Sequence, residues 1–152
     1  MDLFIGGGVK PGEYPLSSPS YFLINDSGKF IKEKQNRIDT TESIAMVNKA
    51  LFSDIDNDND QDLILVGEWM PVMVFENHRG AFKNKEIESL KDLSGWYFTI
   101  IPTDIDKDGD IDYLAGNIGG NTKFQPNKDK PLHIYAKDFD QNGSLDVILS
   151  KA

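Results

Sequence analysis

An all-β fold is predicted by three features of this 152-residue chain. Short apolar runs such as "LILVG", "YLAGN" and "VILS" are rich in aliphatic and β-branched residues and are bounded by glycine or polar residues, as strands are. Two segments, "YFLINDSGKF" at Tyr21 to Phe30 and "VMVFENHRGAF" at Val72 to Phe82, pass from an apolar strand through an Asn and a Gly-containing turn into a return strand with an aromatic. That is hairpin chemistry. Finally, an acidic stretch repeats: "DIDNDNDQDLILVG" from Asp54 recurs as "DIDKDGDIDYLAGN" from Asp104 and as "DFDQNGSLDVILSK" from Asp138. Each copy carries oxygen-bearing side chains at loop positions one, three, five and nine.

Repeats of this kind decide architecture. The opening "MDLFIGGG" matches the tail of a fourth copy, with Asp2, Leu3, Phe4 and Ile5 standing where Asp62, Leu63, Ile64 and Leu65 stand, so that Met1 reads as an added initiator. Further strand-like runs, "AMVNKALFSD" and "GWYFTIIPTD", precede the first two loops. The unit that emerges is strand, acidic loop, strand, turn, strand, "N-x-x-G-x-F" hairpin and strand. Four strands in roughly 40–50 residues is the size of a propeller blade, and Asp54 and Asp104 are 50 residues apart. The expectation is therefore about three four-stranded antiparallel blades of a β-propeller, approximately 1–44, 45–94 and 95–152. From Asp104 to Asp138 the spacing is only 34 residues. Two arrangements satisfy it: "LHIYAKD" and "LDVILS" form the outer hairpin of the last blade, or a truncated blade is followed by the start of another.

The alternate carboxylates need a reason, because two of them about 5 Å apart repel by roughly 3 kcal/mol at an effective dielectric of ~20. A solvated acidic loop answers for one such run but not for three at the same spacing. Calcium takes six to eight oxygen ligands at about 2.3–2.6 Å, so a short loop with alternate carboxylates can wrap it while the backbone supplies a further carbonyl. The side-chain ligands expected are Asp54, Asp56, Asp58 and Asp62 in loop one, Asp104, Asp106, Asp108 and Asp112 in loop two, and Asp138, Asp140, Asn142 and Asp146 in loop three. The carbonyls of Asp60, Asp110 and Ser144 complete them. Gly109 supplies a sharp turn at position six; Asn59 stands there in loop one, tolerable because Asn visits the left-handed region more readily than other non-glycine residues. Loop three carries one charge fewer and is expected to bind most weakly. An EF-hand would require Glu at position twelve and flanking helices, whereas Leu65, Ala115 and Leu149 stand there. Two to three calcium ions are expected, and magnesium is disfavoured because it keeps its waters.

Composition agrees with this assignment. The formal charge is -9, yet thirteen of the twenty-five acidic residues lie in the three loops, and three calcium ions would bring the charge near -3. The acidity is thus no argument for a basic partner, and no Lys/Arg patch suggests nucleic acid. The chain has no cysteine, which fits a reducing compartment or a bacterial exterior protein stapled by metal. No run is long enough to span a membrane.

Other motifs yield less. Gly6 to Gly8 lack the "GK[ST]" of a phosphate loop and read as a turn; His78 and His133 stand apart from any nucleophile or metal constellation. Glu68, Trp69, Asn117 and Asn121 fall on the blade face opposite the metals and are candidate ligand contacts, with packing of Trp69 between blades and turn formation by the asparagines as the competing reading. Paired carboxylates serve glycosidases, but every close pair here is already assigned to a metal loop, so no catalytic residue is expected.

The loops resemble the FG-GAP and VCBS repeats of integrin-type β-propellers, whose pattern D-x-D-x-D-G-x-x-D-L is met by "DIDKDGDIDYL" and nearly met by the other two. The stretches "PGEYPLSSPSYFLINDSGKF", "VGEWMPVMVFEN" and "AGNIGGNTKF" followed by "LHIYAKDFDQNGSLD" look like the bacterial VCBS-repeat proteins that often end in an ASPIC/UnbV domain. The resemblance implies a fragment of a larger propeller from an exported, cell-surface or periplasmic protein. Its role would be a non-enzymatic calcium-stabilised scaffold for a protein or glycan partner, with self-association through open blade edges. The alternative is part of a propeller enzyme, a lyase or hydrolase acting on polysaccharide. Asn59, Asn142 and Ser144 depart from the family pattern.

Overall fold

The computed structural model describes residues 2–33, 38 and 44–151. The reading of Met1 as an initiator, and most of the join expected between the first two blades, lie outside them. Among the described residues the fold is all-β, without helices. The strands are β1 (Leu3–Ile5), β2 (Tyr21–Asp26), β3 (Lys29–Lys32), β4 (Met46–Ser53), β5 (Asp62–Met70), β6 (Met73–His78), β7 (Ala81–Lys85), β8 (Gly95–Thr103), β9 (Asp112–Asn117), β10 (Leu132–Lys137) and β11 (Asp146–Lys151). Every pairing between these named strands is antiparallel. None of the sheets closes into a barrel, as befits a propeller-like fragment.

Among the described residues the four-strand unit is complete once, as β4–β5–β6–β7 between residues 46 and 85. Before it, β1–β2–β3 supplies three of the four strands, consistent with "MDLFI" as the tail of a copy. After it come two hairpins, β8–β9 and β10–β11, the second a sheet of its own. The outer-hairpin arrangement would need β10 to pair with β9, and it does not. Between β9 and β10 the chain makes turns instead of strands, with the Asn121 N–H on the Ile118 carbonyl and an isolated bridge between Asn127 and Lys130. Pro126 and Pro131, which lack the N–H a ladder needs, and the glycines at 119 and 120 suit that segment to turns. The short spacing thus reflects the absence of an outer hairpin after β9.

The run "LILV" in β5 is buried on both faces, as its continuous apolar character requires. Alternation sends Leu63 and Leu65 into one cluster with Phe4, Phe22, Ile38, Val47, Met70, Phe75 and Phe82, while Ile64 and Val66 enter a second with Val74, Tyr97 and Ile100. The first cluster joins β1–β2 to the central unit, and Phe22 stacks on Phe82 at 5.0 Å. The second joins β8 to the same unit from the other side. Each fully buried aliphatic side chain is worth about 1.5–3 kcal/mol, so this sandwich is the main cohesive element. On the outer face of β8–β9, by contrast, the directly paired Ile101 and Leu114 are each 49 % exposed.

Both expected hairpins form with two-residue turns in the left-handed region, Ser27 and Gly28 in one and Arg79 and Gly80 in the other. Positive φ at both central positions matches the twist of the flanking strands. The units are linked to one another near the end of their second strand. The Gly7 carbonyl accepts the Val47 N–H, and Glu68 and Met70 pair with Trp96 and Gly95.

Gly7 and Gly67 hold equivalent positions and share one constraint: a Cβ would lie 2.0 Å from the Ser18 carbonyl oxygen at the first and 1.9 Å from the Met46 carbonyl oxygen at the second. Backbone cannot retreat cheaply. Gly67→Ala is expected to lower stability in urea unfolding by about 1–3 kcal/mol, whereas Gly8→Ala, with open space around it, should stay within about 0.5 kcal/mol. Equal effects of the two would contradict the assigned packing.

Candidate metal centre

The three acidic loops share one geometry. Each joins two antiparallel strands, and in each the residue before the first aspartate pairs with the aspartate at position nine: Ser53 with Asp62, Thr103 with Asp112, Lys137 with Asp146. Loop three therefore occupies the same kind of hairpin as the others.

Their carboxylates order the loops by accepting backbone N–H groups. Asp54 takes the N–H groups of Asp58 and Asn59 on its two oxygens (3.1 and 3.0 Å). Asp104 takes those of Lys107 and Gly109 (2.7 and 3.3 Å), and Asp138 those of Asn142 and Gly143 (3.0 and 2.9 Å). Position five accepts from position seven in every loop, through Asp58, Asp108 and Asn142. Position nine reaches back to position two: Asp62 to the Ile55 N–H (2.9 Å), Asp112 to Ile105 (2.8 Å) and Asp146 to Phe139 (3.0 Å).

This winding requires left-handed backbone at positions four and six. Asn59 adopts it with φ 71°, as expected of an Asn in place of Gly109 (φ 99°) and Gly143 (φ 87°). Position four was not legible. Asn57, Lys107 and Gln141 all have positive φ, and of these only Asn carries a compositional hint. Such residues cost on the order of 1 kcal/mol or more each, offset locally by the N–H groups that the aspartates gather.

Oxygens on one calcium ion lie at most roughly 5 Å apart, twice the ligand distance. Oxygens of Asp54, Asp56 and Asp58 lie within 4.8 Å of one another, as do those of Asp104, Asp106 and Asp108, and of Asp138, Asp140 and Asp146. The donor set, all hard oxygen, fits that ion. Asp62 is placed differently: 1 % exposed, it accepts Ile55 N–H on one oxygen and Asn77 N–H (2.8 Å) on the other. Each oxygen keeps a second lone pair for a cation, but its backbone role stands by itself. Asp60 and Asp110 extend the charge row. The Asp110 carboxyl is held above its ordinary range, chiefly by its hydrogen bond with Asp108 and then by that group's charge. Asp108 is held below it, chiefly because the Asp110 backbone N–H donates to it. In loop three the neutral Asn142 donates its amide to Asp140 (2.9 Å).

The second group of candidates lies at the opposite end of the strands. Trp69, φ 58°, sits at the irregularity where β5 pairs with β8. Its indole N–H donates to the Tyr14 hydroxyl (2.6 Å), which in turn donates to Glu68 (3.3 Å), and its ring packs edge-on against Trp96 at 5.3 Å. Burial, opposed by the indole donor and reinforced by the Glu68 charge, holds the Tyr14 hydroxyl above its ordinary range. Trp69 thus touches the segments before β2 and at the start of β8, and it acts as a joint. Asn117 accepts the Gly119 N–H (2.9 Å). Asn121 contributes its backbone N–H to the same turn. Of the histidines, His78 stands 3.8 Å from Glu76, and His133 beside Tyr135.

Residues 54–115, from the first aspartate of loop one to the strand after loop two, match the model of the FG-GAP-like repeat family. The match supports an FG-GAP repeat protein. No curated protein and no solved structure matches the chain.

The two roles of the aspartates are separable by substitution. Asp62→Asn leaves one acceptor oxygen where two backbone N–H groups converge, so in chelator it should cost about 1–3 kcal/mol in urea unfolding. Asp56→Asn, at an exposed position whose carboxylate accepts one long hydrogen bond from the Asp58 N–H (3.3 Å), should cost within about 0.5 kcal/mol under the same conditions. Equal costs would remove the distinction.

Proposed function

We propose that this FG-GAP repeat segment is a calcium-binding β-propeller scaffold of an exported or cell-surface protein of the VCBS-repeat kind, serving attachment to a protein or glycan rather than catalysis. The single observation that carries the reading is the threefold recurrence of one loop geometry whose only shared chemistry is hard oxygen. Solvated acidic loops have no reason to repeat the same ladder register, the same carboxylate-to-backbone bonds and the same left-handed positions.

Bound calcium supplies positive charge that cancels the repulsion within each loop. Asp54, Asp56 and Asp58 would hold it in loop one, Asp104, Asp106 and Asp108 in loop two, and Asp138, Asp140 and Asp146 in loop three, with the carbonyls of Asp60, Asp110 and Ser144 and the oxygens of Asp62, Asp112 and Asn142 in reach by sequence. The chain's own part is to hold these oxygens in place through the hairpin register. The partner surface we assign to the opposite end, at Glu68, Trp69, Asn117 and Asn121, where Trp69 serves by bracing rather than by offering its indole N–H.

With dissociation constants of about 0.1–1 mM, usual for extracellular modules, 1 mM calcium stabilises by ~0.4–1.4 kcal/mol per site. Chelation should therefore lower the melting temperature by roughly 3–15 °C for three sites together. Asp106→Ala should remove most of one site's share, and loop three should be the first to empty as calcium falls. Calcium titration with melting and bound-metal analysis checks this; unchanged melting and unchanged metal content on chelation would end the proposal.

A further inference from the structure

Among the described residues, loops one and two are physically joined and loop three is not. Ser53, the residue immediately before Asp54, and Tyr113, the residue immediately after Asp112, share a hydrogen bond at 2.6 Å between hydroxyls. Ser53 is also the ladder partner of Asp62, and Tyr113 follows the residue that holds the Ile105 N–H. The two loops are thus tied at the edge where each is closed. A second connection runs through packing. Ile55, position two of loop one, and Tyr113 both pack against the cluster of Ile64, Val66, Val74, Tyr97 and Ile100. Since the Asp62 carboxylate holds the Ile55 N–H, ordering of loop one bears directly on the surface against which Tyr113 rests. Among the described residues, the hairpin carrying loop three, β10–β11, pairs with itself alone, and none of its residues belongs to either core cluster.

We infer that loops one and two bind calcium as a coupled pair, with the Ser53–Tyr113 hydrogen bond as the link, while loop three binds independently. The inference rests on the calcium reading above and deepens it. A cation that orders one loop fixes the end residue of its hairpin; through the hydroxyl pair that fixes the end residue of the neighbouring hairpin, and part of the ordering cost of the second loop is already met when its own cation arrives. By linkage the effect is equal in both directions. One net hydrogen bond supports a coupling of about 2- to 10-fold in affinity.

The test is a calcium titration of the whole chain by amide NMR, following the position-six N–H groups of Asn59, Gly109 and Gly143, each of which is bonded to the first aspartate of its own loop. With loop two disabled by Asp106→Ala, the Asn59 midpoint should move to about 2- to 10-fold higher calcium, and the Gly143 midpoint should stay. In a Tyr113→Phe background, which keeps the ring and removes the hydroxyl, the same Asp106→Ala change should leave the Asn59 midpoint in place. Ser53→Ala breaks the bond from the other side and should give the same result, with dispersed amide spectra in chelator reporting that each variant is folded. Resonances that titrate with calcium but with midpoints indifferent to Asp106→Ala would overturn the coupling and leave the calcium reading standing. Resonances that do not respond to calcium would overturn both.

Discussion

The buried carboxylate of Asp62 is the contact on which the central unit depends. One oxygen holds the N–H of Ile55 and closes the acidic loop; the other holds the N–H of Asn77 on β6. The Asn77 side chain then caps the outer turn by accepting the Gly80 N–H (2.7 Å) and donates to the Gln61 carbonyl (3.0 Å). One side chain therefore connects the inner hairpin, the outer hairpin and the loop. A buried carboxylate is costly without partners; two charge-assisted hydrogen bonds to backbone, each stronger than a neutral one, offset that cost. The same chain of contacts appears in the first unit, where Asp2 accepts the Asn25 N–H (3.1 Å) and Asn25 accepts the Gly28 N–H (2.8 Å). In the hairpins of loops two and three, among the described residues, Asp112 and Asp146 make the inward bond alone.

Charge and packing divide the work along each strand pair. At one end, aspartates accumulate where the chain turns, and the backbone is wound tightly enough to require left-handed residues. In the middle, β5 is covered on both faces, which holds the central unit together between its two ends. At the other end, units are joined by the Gly7–Val47 and Glu68–Trp96 connections and by the Tyr14–Trp69–Trp96 contacts. Under the calcium reading proposed above, a cation would act on the loop ends of a body already held together elsewhere, so small per-site energies would suffice for a stabilising role.

Much of this was legible because the relevant patterns are local. The alternation of aspartates shows which oxygens converge, since residues two apart in a tightly wound loop face the same centre. "NDSG" and "NHRG" specify two-residue turns because glycine, at the second central position, adopts positive φ without penalty. The equivalence of Asp2 with Asp62 followed from the apolar residues behind each. What was not legible depended on contacts distant in the chain. Nothing in "GEW" shows that the Trp69 indole reaches Tyr14, 55 residues away. Nothing in "SDID" pairs Ser53 with Tyr113, 60 residues on. Lys107 and Gln141 give no sign of left-handed backbone because neither residue type prefers it; the surrounding hydrogen bonds impose it.

By itself, then, the sequence determined the strands, the hairpin turns, the three loops and the oxygen chemistry of their side chains, because each is set by residues within about a dozen positions of one another. Only the tertiary structure decided that β10 and β11 stand apart from β9, that Asp62 braces the backbone on two sides, and that loops one and two meet through a pair of hydroxyls. Those outcomes are set by which surfaces bury against which, and burial is a property of the assembled sheets that no single stretch of chain carries.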